Sequence, residues 1–118
     1  KDEPFQEAPF GIASLECAAA VLFDFRSRYY PEVPEALLLE KMTSGPAALL
    51  PEKWQSLGTI AEGAPADLTV IDEERTRIVD CRTWKSKARC CPWEGLALTC
   101  WPVMTFIEGR KIWQDEEE

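Results

Sequence analysis

Apolar and polar positions divide the chain into two regimes. Leu15, Ala18, Ala19, Leu22 and Phe23 recur at intervals of three and four and predict a helix running to about Arg28. Ala36, Leu37, Leu38, Leu39 and Met42 predict a second helical stripe. Ser14 stands where a side chain would cap the first helix, and Pro34 where an opening turn tolerates a residue without an N–H. Tyr29, Tyr30 and Pro31 close the first helix; Ser44 and Gly45 interrupt the second stripe, and Pro46 opens a third, short helix through Leu50.

From Gly58 onward the pattern turns β-branched and alternating. Strands are expected over 67–72, 75–79, 97–100, 103–107 and 111–113, with Glu108, Gly109 and Arg110 as the tight turn joining the last two. Residues 1–13, punctuated by Pro4, Pro9 and Gly11, read as an ordered loop. The only boundary expected lies near Leu57. Helices followed by strands would suit an α+β domain. The first two helices, however, have broad apolar faces and no strands beside them in sequence, so a covering partner outside these residues is expected.

With 118 residues the chain is long enough for one modest core. Its 13 basic and 21 acidic residues give a net charge of -8. Nucleic-acid backbones and anionic membranes reward basic stripes, so neither is expected as a partner. The acidic residues at 115–118 read as a solvated end. The charged start lacks an apolar leader segment, and no apolar run approaches the ~18 residues that cross a bilayer. A cytoplasmic location is the expectation. The first residue is Lys1 rather than methionine, as in a longer or processed polypeptide.

Candidate chemistry is sparse. The sequence has no histidine, which removes Ser-His-Asp and Cys-His pairs and every imidazole ligand. Five cysteines (Cys17, Cys81, Cys90, Cys91 and Cys100) are odd in number and contain no Cys-x-x-Cys, so buried reduced thiols are expected rather than a zinc site. Cys90-Cys91-Pro92 has Lys85, Lys87 and Arg89 nearby in sequence, whose charge would lower a thiol pKa, but no base at a defined spacing. The carboxylate pairs Glu3 with Glu7, and Asp72 with Glu73 and Glu74, read as solvated surface. Arg26 and Arg28 beside Tyr29 and Tyr30 are too few charges for a nucleic-acid site, and the five tryptophans read as core or interface anchors. The best ligand contact is the loop 8–12. Gly11 permits close backbone approach and Phe10 offers an apolar wall, although a plain turn leading into a helix explains the same residues.

Five ordered blocks carry a resemblance. They are Glu7-Ala-Pro-Phe-Gly-Ile-Ala-Ser-Leu-Glu16, Met42-Thr-Ser-Gly-Pro-Ala-Ala-Leu-Leu50, Gly58-Thr-Ile-Ala-Glu-Gly-Ala-Pro-Ala-Asp-Leu-Thr-Val-Ile-Asp72, Lys85-Ser-Lys-Ala-Arg-Cys-Cys-Pro-Trp-Glu-Gly95 and Val103-Met-Thr-Phe-Ile-Glu-Gly-Arg110. Taken together, over nearly the whole chain, they resemble the C-terminal segment of bacterial-type (class I) dihydroorotases of the amidohydrolase superfamily. The resemblance implies an α/β fold: the C-terminal part of a metal-dependent (β/α)8 barrel plus strands of an accompanying small β-sandwich. Residues 1–57 would be the last βα loop and outer helices, and 58–118 the sandwich strands and acidic tail.

The implied activity is that of a zinc cyclic amidohydrolase interconverting N-carbamoyl-L-aspartate and L-dihydroorotate in pyrimidine biosynthesis. The implied partners are the rest of the barrel and, beyond it, a second copy or aspartate transcarbamoylase. The metal ligands and catalytic base of that family would lie outside this segment, which is expected to bind no zinc and to be inactive alone. Phe10 and Gly11 match the position whose backbone contacts the pyrimidine ring. Ser44-Gly45-Pro46 stands where Thr-Asn-Pro is usual, and Cys90-Cys91-Pro92-Trp93 where Asn-Thr-Pro-Phe is usual. A noncatalytic homologue that scaffolds another pyrimidine enzyme therefore stands as the alternative, with dihydropyrimidinases and allantoinases as related enzymes sharing the 58–72 type of block.

Overall fold

The computed structural model describes residues 4–8 and 10–116. Glu3 of the Glu3–Glu7 pair, Pro9 of the candidate loop, and residues 117 and 118 of the acidic end lie outside that set. The order of elements is a 3-10 turn at Leu15–Cys17, α1 (Ala18–Tyr29), α2 (Glu35–Met42), α3 (Ser44–Ala47), a turn at Glu52–Trp54, β1 (Leu68–Asp72), β2 (Arg77–Ile78), a turn at Cys81–Thr83, β3 (Ala97–Leu98), β4 (Trp101–Ile107) and β5 (Arg110–Gln114). The chain is mixed helix and sheet, and its two sheets are small and antiparallel: β1-β4-β5 and β2-β3.

Both long helices form where the apolar spacing predicts them, but the face that α1 buries differs. Cys17, Ala20, Val21, Phe23 and Asp24 are buried, whereas Leu15 and Leu22 of the predicted stripe are exposed. The helix is apolar over most of its circumference, and the side carrying small residues approaches β3 and β4 more closely than one carrying two leucines could. Ser14 does not cap α1. A 3-10 turn intervenes, Cys17 takes the N-cap position, and the Ser14 side chain makes no capping hydrogen bond. The third helix starts two residues early, at Ser44, and gives way to turns that bond Leu49 to Pro46 and Leu50 to Ala47.

The strands differ mainly in length. β3 ends at Leu98 because Cys100 adopts a left-handed φ of 61°, turning the chain into β4. β2 is confined to the two residues that β3 can pair. β4 instead reaches back through Pro102 to Trp101, beyond the predicted start at Val103. A proline is tolerated in this central strand because the register shifts there: Met104 faces Val70 and Pro102 faces Ile71, leaving Val103 as the bulged residue. The Val103 carbonyl is satisfied by the Asp115 amide at 2.9 Å. The turn after β4 is the predicted one, with Glu108 at φ 49° and Gly109 at φ 75°.

The core lies between α1 and the β2–β3 layer and comprises Cys17, Ala20, Val21, Val79, Cys81, Trp84, Leu98 and Trp101, with Ala13, Phe25, Cys91 and Trp93 against it. Asp24 joins the two layers. Its Oδ1 accepts from the Thr99 amide and hydroxyl, both at 2.9 Å, and from Arg28 Nη2 at 2.8 Å. Arg28 Nε stands 2.7 Å from Oδ2, an ion-pair contact without the alignment of a hydrogen bond.

Much apolar surface is left uncovered. A monomer of 13.4 kDa should expose about 6,500 Å², yet this chain exposes 9210 Å², an excess of roughly 2,700 Å². The radius of gyration is 16.3 Å, against about 13.5 Å for a self-contained domain of this length. No residue of α2 is buried, and Leu37, Leu39 and Met42 are exposed along it.

Candidate functional site

The loop leading into α1 is held from behind. The Ala13 amide donates to the Cys90 carbonyl at 2.9 Å, and the Glu16 carboxylate accepts from the amides of Ser86 at 2.8 Å and Lys85 at 3.1 Å. The 81–89 segment that supplies those amides is itself organised by Arg89, which donates to the carbonyls of Ser86 at 2.5 Å, Cys81 at 2.8 Å and Trp84 at 3.2 Å. Glu94 completes the frame by accepting from the Cys81 amide at 2.8 Å.

Phe10 and Gly11 project from this frame. Phe10 is fully exposed, Ile12 is half-exposed, and Gly11 has φ +77° with no atom within 4 Å of where a Cβ would stand. The loop therefore presents an aromatic ring and an unobstructed backbone to whatever lies outside the chain. That arrangement can contact a ligand, but it brings no acid, base or nucleophile with it.

The other sequence candidates separate. Among the described residues, no group of three or more His, Cys, Asp or Glu side chains is arranged to hold a metal ion. Asp72 caps its own turn, accepting from the amides of Glu74 and Arg75, while Glu73 and Glu74 are exposed. Arg26 bonds the Val33 carbonyl at 2.8 Å and Arg28 serves Asp24, so the two are structural. Trp84 and Trp101 are buried, Trp93 packs on the core, and Trp54 and Trp113 are exposed. No helix of the described residues is long and apolar enough to cross a membrane.

All five cysteines are free: Cys17, Cys81 and Cys100 are buried, and Cys90 and Cys91 are half-buried. Burial first, then the neighbouring Cys91, pushes the Cys17 thiol up to about 12. Burial likewise leads in pushing Cys81 up to about 12, with Glu94 next. In return the Cys81 thiol, followed by its amide, holds Glu94 below the usual carboxylate range. Sequence reasoning missed the positioning roles of Glu16, Arg89 and Glu94. It also took Asp115 as part of a solvated end, whereas Asp115 is largely buried and pairs with Arg75 at 2.7 Å and with Arg77, whose guanidinium lies over Trp101. The acidic end looked solvated because the partners of Asp115 sit about forty positions earlier in the chain, before β3, β4 and β5.

No family model matches the chain. Individual curated relatives do. The dihydroorotase of Halalkalibacterium halodurans is 35% identical over 99% of this chain, that of Deinococcus radiodurans 33% over 98%, and that of Bacillus caldolyticus 35% over 97%. In each case the chain spans only 26% of the relative's length. By sequence, then, this chain resembles a segment of a dihydroorotase.

Proposed function

We propose that these residues are the C-terminal part of a zinc-dependent dihydroorotase, with residues 1–57 supplying the last βα loop and outer helices of a (β/α)8 barrel and 58–118 the strands of an accompanying β-sandwich. The observation that carries this reading is the near-complete coverage of the chain by segments of that enzyme. The roughly 2,700 Å² of excess surface supports it, since obligate interfaces bury about 1,000 to 2,500 Å² or more on each partner. The partner on that surface would be the rest of the same enzyme.

A zinc centre does not fit the residues of this chain. There is no histidine in the sequence, and the described residues include no suitable cluster of Cys, Asp or Glu. The metal and the ionisable groups of the reaction are therefore assigned to the remainder of the enzyme, and no chemical step is assigned here. The contribution proposed for this segment is positional. Gly11 lets the backbone approach the ring formed when N-carbamoyl-L-aspartate closes to L-dihydroorotate, and Phe10 borders it.

The test is steady-state kinetics on the intact, metal-loaded polypeptide that carries these residues. Hydrolysis of dihydroorotate is expected, with Phe10→Ala and Gly11→Val each lowering kcat/KM about tenfold or more. Stability should fall by no more than the about 1–2 kcal/mol that a side chain costs in the left-handed region. A loaded protein that binds no dihydroorotate would favour the noncatalytic scaffold instead. An active one indifferent to both substitutions would remove Phe10 and Gly11 from the site.

A further inference from the structure

Two stretches of chain far apart in sequence bring cysteines together at the core. Cys17, at the foot of α1, has its Sγ 3.9 Å from that of Cys91 across 74 positions of chain, and the buried Cys81 belongs to the core cluster on which Cys91 packs. We propose that Cys17 and Cys91 form a redox-modification site, at which hydrogen peroxide converts the pair to a disulfide that staples the start of α1 to the 90–93 segment. This inference is independent of the reaction assigned above.

The geometry favours this pair. A disulfide requires an S–S distance of about 2.05 Å, so the two sulfurs must approach by roughly 1.9 Å. Cys91 lies outside regular secondary structure, and its neighbour Cys90 is already tied to the loop before α1 through the Ala13 amide. The segments to be joined are therefore in register before oxidation. Cys81, by contrast, is engaged with Glu94.

The order of events follows from access. Cys17 is 1% exposed and its thiol stays protonated, donating towards the Ser14 carbonyl at 3.5 Å. Cys91 is half-buried and is the sulfur of the pair that a small oxidant reaches. Its sulfur attacks one peroxide oxygen, the O–O bond breaks, and Cys91 becomes a sulfenic acid while the released hydroxide takes the Cys91 thiol proton and leaves as water. The Cys17 sulfur then attacks the Cys91 sulfur. The sulfenic oxygen leaves as hydroxide and takes the Cys17 proton, giving a second water. Two thiols and one peroxide yield one disulfide and two waters, with no other reactant required.

The experiment uses the intact native protein, reduced, freed of reductant and exposed to a modest excess of hydrogen peroxide. Remaining thiols are alkylated in denaturant and the peptides mapped by mass spectrometry. The expected product is a reducible link between the Cys17 and Cys91 peptides, lost in Cys91→Ser and retained in Cys90→Ser. The proposal is overturned if both thiols stay fully alkylatable, if Cys91 proceeds to sulfinic acid without a link, or if Cys81 or Cys90 is its main partner. A Cys17–Cys91 link that forms only in denaturant overturns it as well. Should Cys91→Ser fail to fold, the identity of the linked peptides in the unsubstituted protein decides alone.

Discussion

Replacing Asp24 by alanine is expected to cost about 3–5 kcal/mol, making it one of the more damaging single changes in the chain. The carboxylate is 1% exposed, and its Oδ1 satisfies the Thr99 amide, the Thr99 hydroxyl and Arg28 Nη2. Alanine strands the two Thr99 donors, each worth about 1–3 kcal/mol of unmet desolvation. The Arg28 side chain is 49% exposed, so water replaces its lost partner and that loss adds no more than about 1 kcal/mol. Asp24→Asn keeps the shape and an acceptor oxygen for Thr99 and should cost only about 1–2 kcal/mol; Thr99→Val, which removes one donor and strands nothing charged, should cost about 1 kcal/mol. Urea unfolding of the intact protein, followed through tryptophan fluorescence and compared at constant m, gives the ranking. A loss below about 1 kcal/mol for Asp24→Ala would refute the account. Equal losses for alanine and asparagine would show that the Asp24–Arg28 ion pair within α1, not the Thr99 donors, carries the loss.

Gly58→Ala should lose about 2–5 kcal/mol, combining left-handed strain with overpacking, since φ is +75° and the added Cβ would stand 2.5 Å from the Thr43 carbonyl carbon. Gly63→Ala, at φ +83° with open space around it, is the control and should cost only about 1–2 kcal/mol in the same thermal melts. Glu94 is held below its usual range chiefly by the Cys81 thiol, and Asp80 is lowered from 3.8 to about 2, chiefly by the Arg82 side chain. The stability they contribute is complete above the unfolded values near 4.5 and 3.8 and is lost as pH falls through the lower folded ones. Glu94→Gln and Asp80→Asn should therefore each flatten the acid limb of a stability–pH curve and leave its neutral region sloping as before. Asp115→Ala, which removes the carboxylate paired with both Arg75 and Arg77, should cost about 2–4 kcal/mol in chemical denaturation, while the exposed Glu116→Ala should fall within about 0.5 kcal/mol of the parent.

Local signals read from sequence account for most of the element order. Two helical stripes, a β-branched run over 67–72 and a Glu-Gly turn each depend on neighbours within a few residues, and each formed near its predicted place. What could not be read depends on distant partners. Asp24 interrupts the run Ala18-Ala-Ala-Val-Leu-Phe23 with Arg28 four residues on, which a local reading takes as an ordinary helical ion pair. Its burial is decided by Thr99, 75 positions away. The same holds for Asp115 with Arg77 and for Glu16 with Ser86. Pro102 shortened the predicted strand because a bulge depends on the register of β1, which sequence does not display. The candidate loop was legible through Gly11 and Phe10; the frame behind it, built by Glu16 and Arg89, was not.

The β1-β4-β5 sheet ends, among the described residues, in two strands of five residues each. On their outer sides β1 and β5 carry backbone groups with no strand beside them, and such rims are templates for any extended chain that arrives first. Arg110 and Lys111 charge one rim, but Leu68, Thr69, Val70 and Ile71 leave the other uncharged up to Asp72. During synthesis the β1 rim is thus the place where timing matters, because another copy of the chain can pair with it. At high expression the uncharged β1 rim becomes a seed of aggregates, and lowering the rate of synthesis should raise the soluble yield.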